Sequence, residues 1–163
     1  MSADAAPSRA WHVGDWGPLG WLETALKTGG VGVGVAALIS ATGRSAEAPG
    51  GARLAEVIVL GVLCLGLLAA IADRYADRET IGMVFILGMN AGHIAMLIAL
   101  ARDADVGGLL VAFATLMLAG DLVKLVFLAT TGFTVRSVPR AAVYGLVGAY
   151  VAGYVALILI ELA

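Results

Sequence analysis

Five long apolar runs dominate this chain, at residues 21–41, 54–72, 81–100, 107–128 and 141–160, with short polar segments between them. An α-helix rises about 1.5 Å per residue and a bilayer's hydrocarbon core is about 30 Å thick, so each run has the length of a transmembrane helix. Lipid offers no hydrogen-bond partners, so a spanning segment must satisfy its own backbone. The expected fold is therefore an all-α, polytopic bundle of five transmembrane helices at residues 21–163, preceded by a separate segment at 1–20.

Composition agrees. Hydrophobic residues make up 61% of the chain and charged residues 13%, against about 45–50% and 25% in soluble domains. A net charge of −2 and the lack of any basic run argue against a nucleic-acid partner. Cys64 is the only cysteine, which excludes an intrachain disulfide and a Cys-rich metal site. Its place in an apolar run suits a small core hydrophobe.

The N-terminal segment holds Arg9, Asp4, Asp15, Pro7 and Pro18 but no apolar stretch, unlike a signal peptide. Trp11, Trp16 and Trp21 punctuate it. Indoles favour the membrane–water boundary, so the segment is expected to lie on the membrane surface. A partner-binding arm is the alternative.

The breaks between runs are chemically clear. Turn formers occupy Gly43-Arg44 through Pro49-Gly50-Gly51, and charges fill Asp73 through Glu79. Arg102-Asp103-Ala104-Asp105 makes a tight connection, and the last loop runs from Gly132 to Arg140. The first run is the least secure, because it contains Glu23, Lys27 and four glycines between Gly29 and Gly34. A span is favoured there over an interfacial or re-entrant segment, which would leave four spans. With five spans, Arg9, Arg74, Arg78, Arg136 and Arg140 share one side, and Arg44, Arg53 and Arg102 the other. That bias places the N-terminus in the cytoplasm of a plasma or inner membrane.

Helices in lipid associate through close backbone packing, which small residues permit. Ala141, Gly145, Ala149 and Gly153 recur every four residues in the last run, as do Thr28, Gly32, Ala36 and Ser40 in the first, with Gly30 and Gly34 on a neighbouring face. Packing within the chain is the favoured use of these stripes. A homo-oligomer or a membrane-complex partner is also expected. The Gly30–Gly34 spacing resembles the glycine-rich helices of rotor-ring proteolipids over those five residues alone. The loop and charge layout does not fit that family.

Polar residues inside the runs are the candidate site. Asn90 and His93 share a helix face three residues apart, and so do Asp121 and Lys124. Asp and Lys each cost about 2.5–3.5 kcal/mol at a helix centre, whereas Leu, Ile, Val and Phe each contribute about 0.3–0.6 kcal/mol of insertion energy. Twelve such residues between Gly107 and Leu128 return about 4–7 kcal/mol. The fourth helix is thus marginal alone and must pair its charges with each other or with a neighbour.

Counting depth from one membrane face places Asn90 at about 13 Å, His93 at about 18 Å, Asp121 at about 15 Å and Lys124 at about 10 Å. Tyr150 and Tyr154 fall at about 13 and 20 Å. These six residues are expected to converge as a binding or permeation site, with Glu23 and Lys27 lining an entrance. His93 would exchange a proton near neutral pH, tuned by Asp121.

Binding or translocation of a small solute or ion is the leading expectation, since intramembrane ionisable residues usually mark such sites. A non-catalytic complex subunit, with the cluster purely structural, is the runner-up. A haem or redox anchor ranks lower, because His93 is the only embedded histidine and Met89 or Met96 more readily serve as packing. No nucleophile–base or phosphate-loop motif appears, so no enzyme, metal or cofactor is expected.

Overall fold

The computed structural model describes residues 17–41, 56, 80–102, 104–131 and 139–163, with side chains of the second helix from Asn90 onward. Four α-helices make up nearly all of these residues: α1 (Gly17–Ala41), α2 (Thr80–Ala101), α3 (Gly107–Thr131) and α4 (Arg140–Leu162). They match the first, third, fourth and fifth apolar runs. α1 starts four residues earlier than its run and α3 extends three residues past its own. The second run, 54–72, lies outside the described residues except for Glu56, which is helical and buried. Of the surface segment expected at 1–20, residues 1–16 also lie outside them and residues 17–20 form the start of α1.

By length and composition α1, α3 and α4 can cross a membrane, and α2 carries a shorter apolar stretch from Asn90 to Ala101. The molecule is a helical bundle consistent with a membrane protein. The distribution of side chains fits that reading. Trp21, Ile39, Val126, Leu159 and Leu162 face outward, while Glu23, Lys27, Asn90, His93 and Asp121 are buried. Water would favour the reverse arrangement, whereas lipid rewards it.

Local chemistry explains the helix ends. Gly17 takes a positive φ of 58° just ahead of Pro18, whose fixed φ suits a first helical turn. Pro139 precedes α4, and its carbonyl accepts from the Ala142 and Val143 N–H groups at 2.9 and 3.3 Å. Between α2 and α3, Arg102 N–H donates to the Ile98 carbonyl at 3.1 Å and Ala104 N–H to the Ala99 carbonyl at 3.2 Å. Buried Ala104 and Val106 fold that connection back onto the core. Thr24, Thr130 and Thr131 satisfy their hydroxyls on carbonyls three or four residues earlier.

α1 packs along both α2 and α3, and α4 along α3. Glycine sets the closest approach. A Cβ on Gly34 would sit 2.5 Å from the Gly92 carbonyl oxygen, and one on Gly92 would sit 2.9 Å from the Val31 Cα. α1 and α2 therefore cross backbone against backbone. Gly30 similarly admits the Met117 sulfur. The stripe Thr28, Gly32, Ala36 and Ser40 instead faces outward, as do Ala141, Gly145 and Ala149, with Gly153 half-buried. Cβ atoms on Gly32 or Gly145 would meet nothing within 4 Å. The difference is one of phase: the buried face of α1 runs through Gly20, Glu23, Lys27, Gly30, Gly34, Ala37 and Ala41.

At the far end, the Glu161 carboxylate of α4 presses against Gly107, the first residue of α3, in the space a side chain there would fill. An acid at a helix N-terminus is stabilised by unpaired backbone N–H groups and the helix dipole. Replacing Gly107 with Ala should displace Glu161 and lower thermal stability by about 1 kcal/mol. The double change with Glu161→Gln should add little further loss, as read by detergent-solubilised melting curves.

Candidate functional site

The register of α1 against α3 builds the charged part of the site. The two helices run antiparallel, with Glu23 beside Lys124, Lys27 beside Asp121 and Gly30 beside Met117. Lys27 Nζ lies 2.9 Å from Glu23 Oε1 and 2.7 Å from Asp121 Oδ1. Lys124 Nζ lies 3.4 Å from the same Glu23 oxygen. Glu23 and Lys27 are one turn apart, with the acid N-terminal, the favourable order for such a pair. The Lys27 stem runs over Gly120, where a Cβ would sit 2.8 Å from its Cγ. Gly120 thus clears the path that lets the ammonium reach Asp121.

Two carboxylates and two ammonium groups form a neutral quartet. Lys27, Glu23 and Asp121 are buried, while the Lys124 side chain is 24% exposed, as expected of a long cation reaching toward an interface. Glu23 and Lys27, expected to line an entrance, are enclosed by the helices around them. Both are 3% exposed, at the centre of the cluster. Of the two pairings open to it, Lys124 on its own helix or a neighbouring helix, Asp121 takes the neighbour, Lys27 of α1.

The second part of the site joins α2 to α4. His93, with no exposed surface, has Nε2 2.5 Å from the Tyr154 hydroxyl. Phe113 of α3 meets the His93 ring edge-on at 5.1 Å between centroids and flanks Tyr154 at 6.3 Å. This aromatic box fixes the imidazole plane. Tyr150 stacks toward Tyr154 one turn away, at 6.5 Å and 25°. Asn90 is buried one turn before His93.

The six residues expected to converge are thus divided. His93 and Tyr154 bond directly, with Tyr150 beside them, and Asp121 and Lys124 belong to the quartet. Gly30 and Gly34 pack in the core, while Gly32, Gly145 and Ala149 face outward. Gly92, Gly120, Phe113 and buried Glu56 were not among the sequence-derived candidates. The signal for two of them is a glycine immediately before an embedded polar residue, in Gly92-His93 and Gly120-Asp121. Among the described residues, no three His, Cys, Asp or Glu side chains come together to hold a metal ion.

No protein family, curated protein or solved structure matches the chain.

Proposed function

We propose that this chain is a five-span protein of a plasma or inner membrane that binds or translocates a small solute or ion through the polar groups inside its bundle. The observation that carries the reading is the neutral quartet of Glu23, Lys27, Asp121 and Lys124. As cement it is a poor choice. Desolvating buried ions offsets most of their attraction, and apolar replacements of similar volume are often as stable or more so. In a membrane the same charges also oppose insertion. Groups of this kind are better suited to meeting a polar or charged species in transit.

Topology supports the fifth crossing. α1 is antiparallel to α3, and α2 reaches α3 through a short connection that reverses the chain. α1 and α2 therefore run in the same direction. The apolar run 54–72 lies between them in sequence. The arginine bias supports a cytoplasmic N-terminus. Outward small-residue faces on α1 and α4 support self-association.

A structural subunit of a larger complex is the second reading. It is favoured by the way the four charges satisfy one another. The two readings separate in proteoliposomes challenged with sodium, potassium and ammonium chloride and with glycerol, followed by light scattering, with an entrapped pH dye for protons. Wild-type protein should raise at least one flux above empty vesicles. Asp121→Asn should reduce it by at least tenfold while the melting curve remains cooperative. Flux at the empty-vesicle level for the wild type would favour the subunit reading.

A further inference from the structure

We infer that the charged quartet takes a monovalent cation of the ammonium class, ammonium itself or a small primary amine, in exchange for the side chain of Lys124. The inference rests on the binding and translocation reading above and names its substrate class.

The four charges are not equivalent. The side chains of Glu23, Lys27 and Asp121 are 4%, 4% and 7% exposed, and that of Lys124 is 24% exposed. The three enclosed groups carry one net negative charge, two carboxylates against one ammonium. Lys124 makes up the balance, at 3.4 Å from Glu23 Oε1 where Lys27 lies at 2.9 Å. It is the outermost member of the quartet and stands further from Glu23 than Lys27 does. An enclosed core short of one positive charge, completed by a cation from the rim, has the form of a receptor whose occupant is tied on by its own stem.

Of the two lysines, only Lys124 suits that part. Lys27 holds both carboxylates, and its stem is threaded over Gly120, where a Cβ would sit 2.8 Å from its Cγ. Lys124 stands seven residues before the end of α3, about 10 Å in. A lysine there carries its ammonium toward the interface while its stem stays on apolar surface. Its withdrawal leaves Lys27 on Glu23 and Asp121 and opens one cation's place at Glu23.

Charge balance selects what fills that place. A monovalent cation that enters as Lys124 leaves keeps the set neutral. A divalent cation in the same exchange, or an anion added to the quartet, strands a buried charge, which is the costly state. A neutral solute has no charge with which to displace Lys124 from Glu23. Among cations, ligand number decides. A hard metal ion takes about six oxygens or more, and among the described residues no three His, Cys, Asp or Glu side chains come together. An ammonium nitrogen needs only acceptors for its N–H groups. Both cations now beside these carboxylates are –NH3+ groups, so the place that Lys124 vacates is shaped for another.

The test compares melting curves of wild type and Lys124→Met in detergent, over a range of ammonium or methylammonium chloride at constant ionic strength held with sodium chloride. The melting temperature should rise with ammonium, and the half-maximal concentration should be at least tenfold lower in Lys124→Met, where no tethered cation competes. Potassium should not reproduce the rise, and Glu23→Gln should abolish it. Lys124→Gln serves where Lys124→Met does not fold in sodium chloride, and ammonium should restore a cooperative transition to either. Equal half-maximal concentrations, an equal shift with potassium, a shift that survives in Glu23→Gln, or failure of both Lys124 variants to fold in ammonium would overturn the exchange. Flux of glycerol or protons in liposomes with no ammonium-dependent shift would overturn it and leave the translocation reading in place. An ammonium-dependent shift with no flux of any kind would remove translocation and leave the bound cation.

Discussion

Replacing Lys27 with Met should be the most damaging single change in the bundle. The ammonium serves two carboxylates at once, at 2.9 and 2.7 Å. Glu23 keeps Lys124 as a partner at 3.4 Å, but Asp121 loses the cation that neutralises it. Breaking a buried pair from one side costs about 3–5 kcal/mol, because the remaining charge is stranded. The melting temperature in detergent should fall by roughly 10 °C, and less protein should reach the membrane. Adding Asp121→Leu removes the stranded charge and should restore most of the loss, leaving the Glu23–Lys124 pair intact. If Lys27→Met alone leaves the melting temperature unchanged, Lys27 is not the shared counter-ion.

Substitution at the α1–α2 crossing should have the next largest effect. Even Ala at Gly34 would place a methyl 2.5 Å from the Gly92 carbonyl oxygen, and backbone cannot rotate away as a flexible side chain can. The helices would have to separate along their length. Overpacking of this sort costs about 1–3 kcal/mol for one added group, and Gly34→Val should exceed that range. The movement would also carry α2, and with it His93, away from Tyr154. Thus Gly34→Val should lower flux as well as stability, although position 34 touches neither residue of the pair. Gly32→Ala, on the open face two residues away, should leave both unchanged. Equal melting temperatures for the two variants would mean that the crossing does not limit stability.

Much of the architecture is legible in the sequence, because insertion into lipid depends on length and polarity that can be counted directly. The runs at 81–100, 107–128 and 141–160 reappear as α2, α3 and α4 within three residues at each end. Depth counting places His93 and Tyr154 within about 2 Å of one another, and the structure joins them. What was not legible was helix rotation. Periodicity groups residues on a face but does not say which face turns inward when apolar surface covers the whole helix. The small stripe of Thr28, Gly32, Ala36 and Ser40 was therefore as eligible for the core as Gly30, Gly34, Ala37 and Ala41, which occupy it. The same uncertainty leaves Asp121 with two eligible partners, Lys124 on its own helix or a neighbouring helix. Charges three residues apart can pair locally, and only the rotation of α1 brings Lys27 across to Asp121. The sequence puts Glu23 and Lys27 near the same membrane face as the polar cluster if the first run spans, where an entrance would lie. Yet ten residues of helix carry Lys27 about 15 Å in, and the register of α3 meets it there.

The central claim is that the buried charges serve passage rather than cohesion. Replacing all four at once, as Glu23→Leu, Lys27→Met, Asp121→Leu and Lys124→Met, separates the two roles, because no charge is left stranded. The decisive measurement is flux of the solute or ion that the wild type conducts, through liposomes containing this quadruple variant, taken on protein whose melting temperature equals or exceeds that of the wild type. Flux at the level of empty liposomes is the predicted result. A folded quadruple variant that conducts at the wild-type rate would contradict the claim.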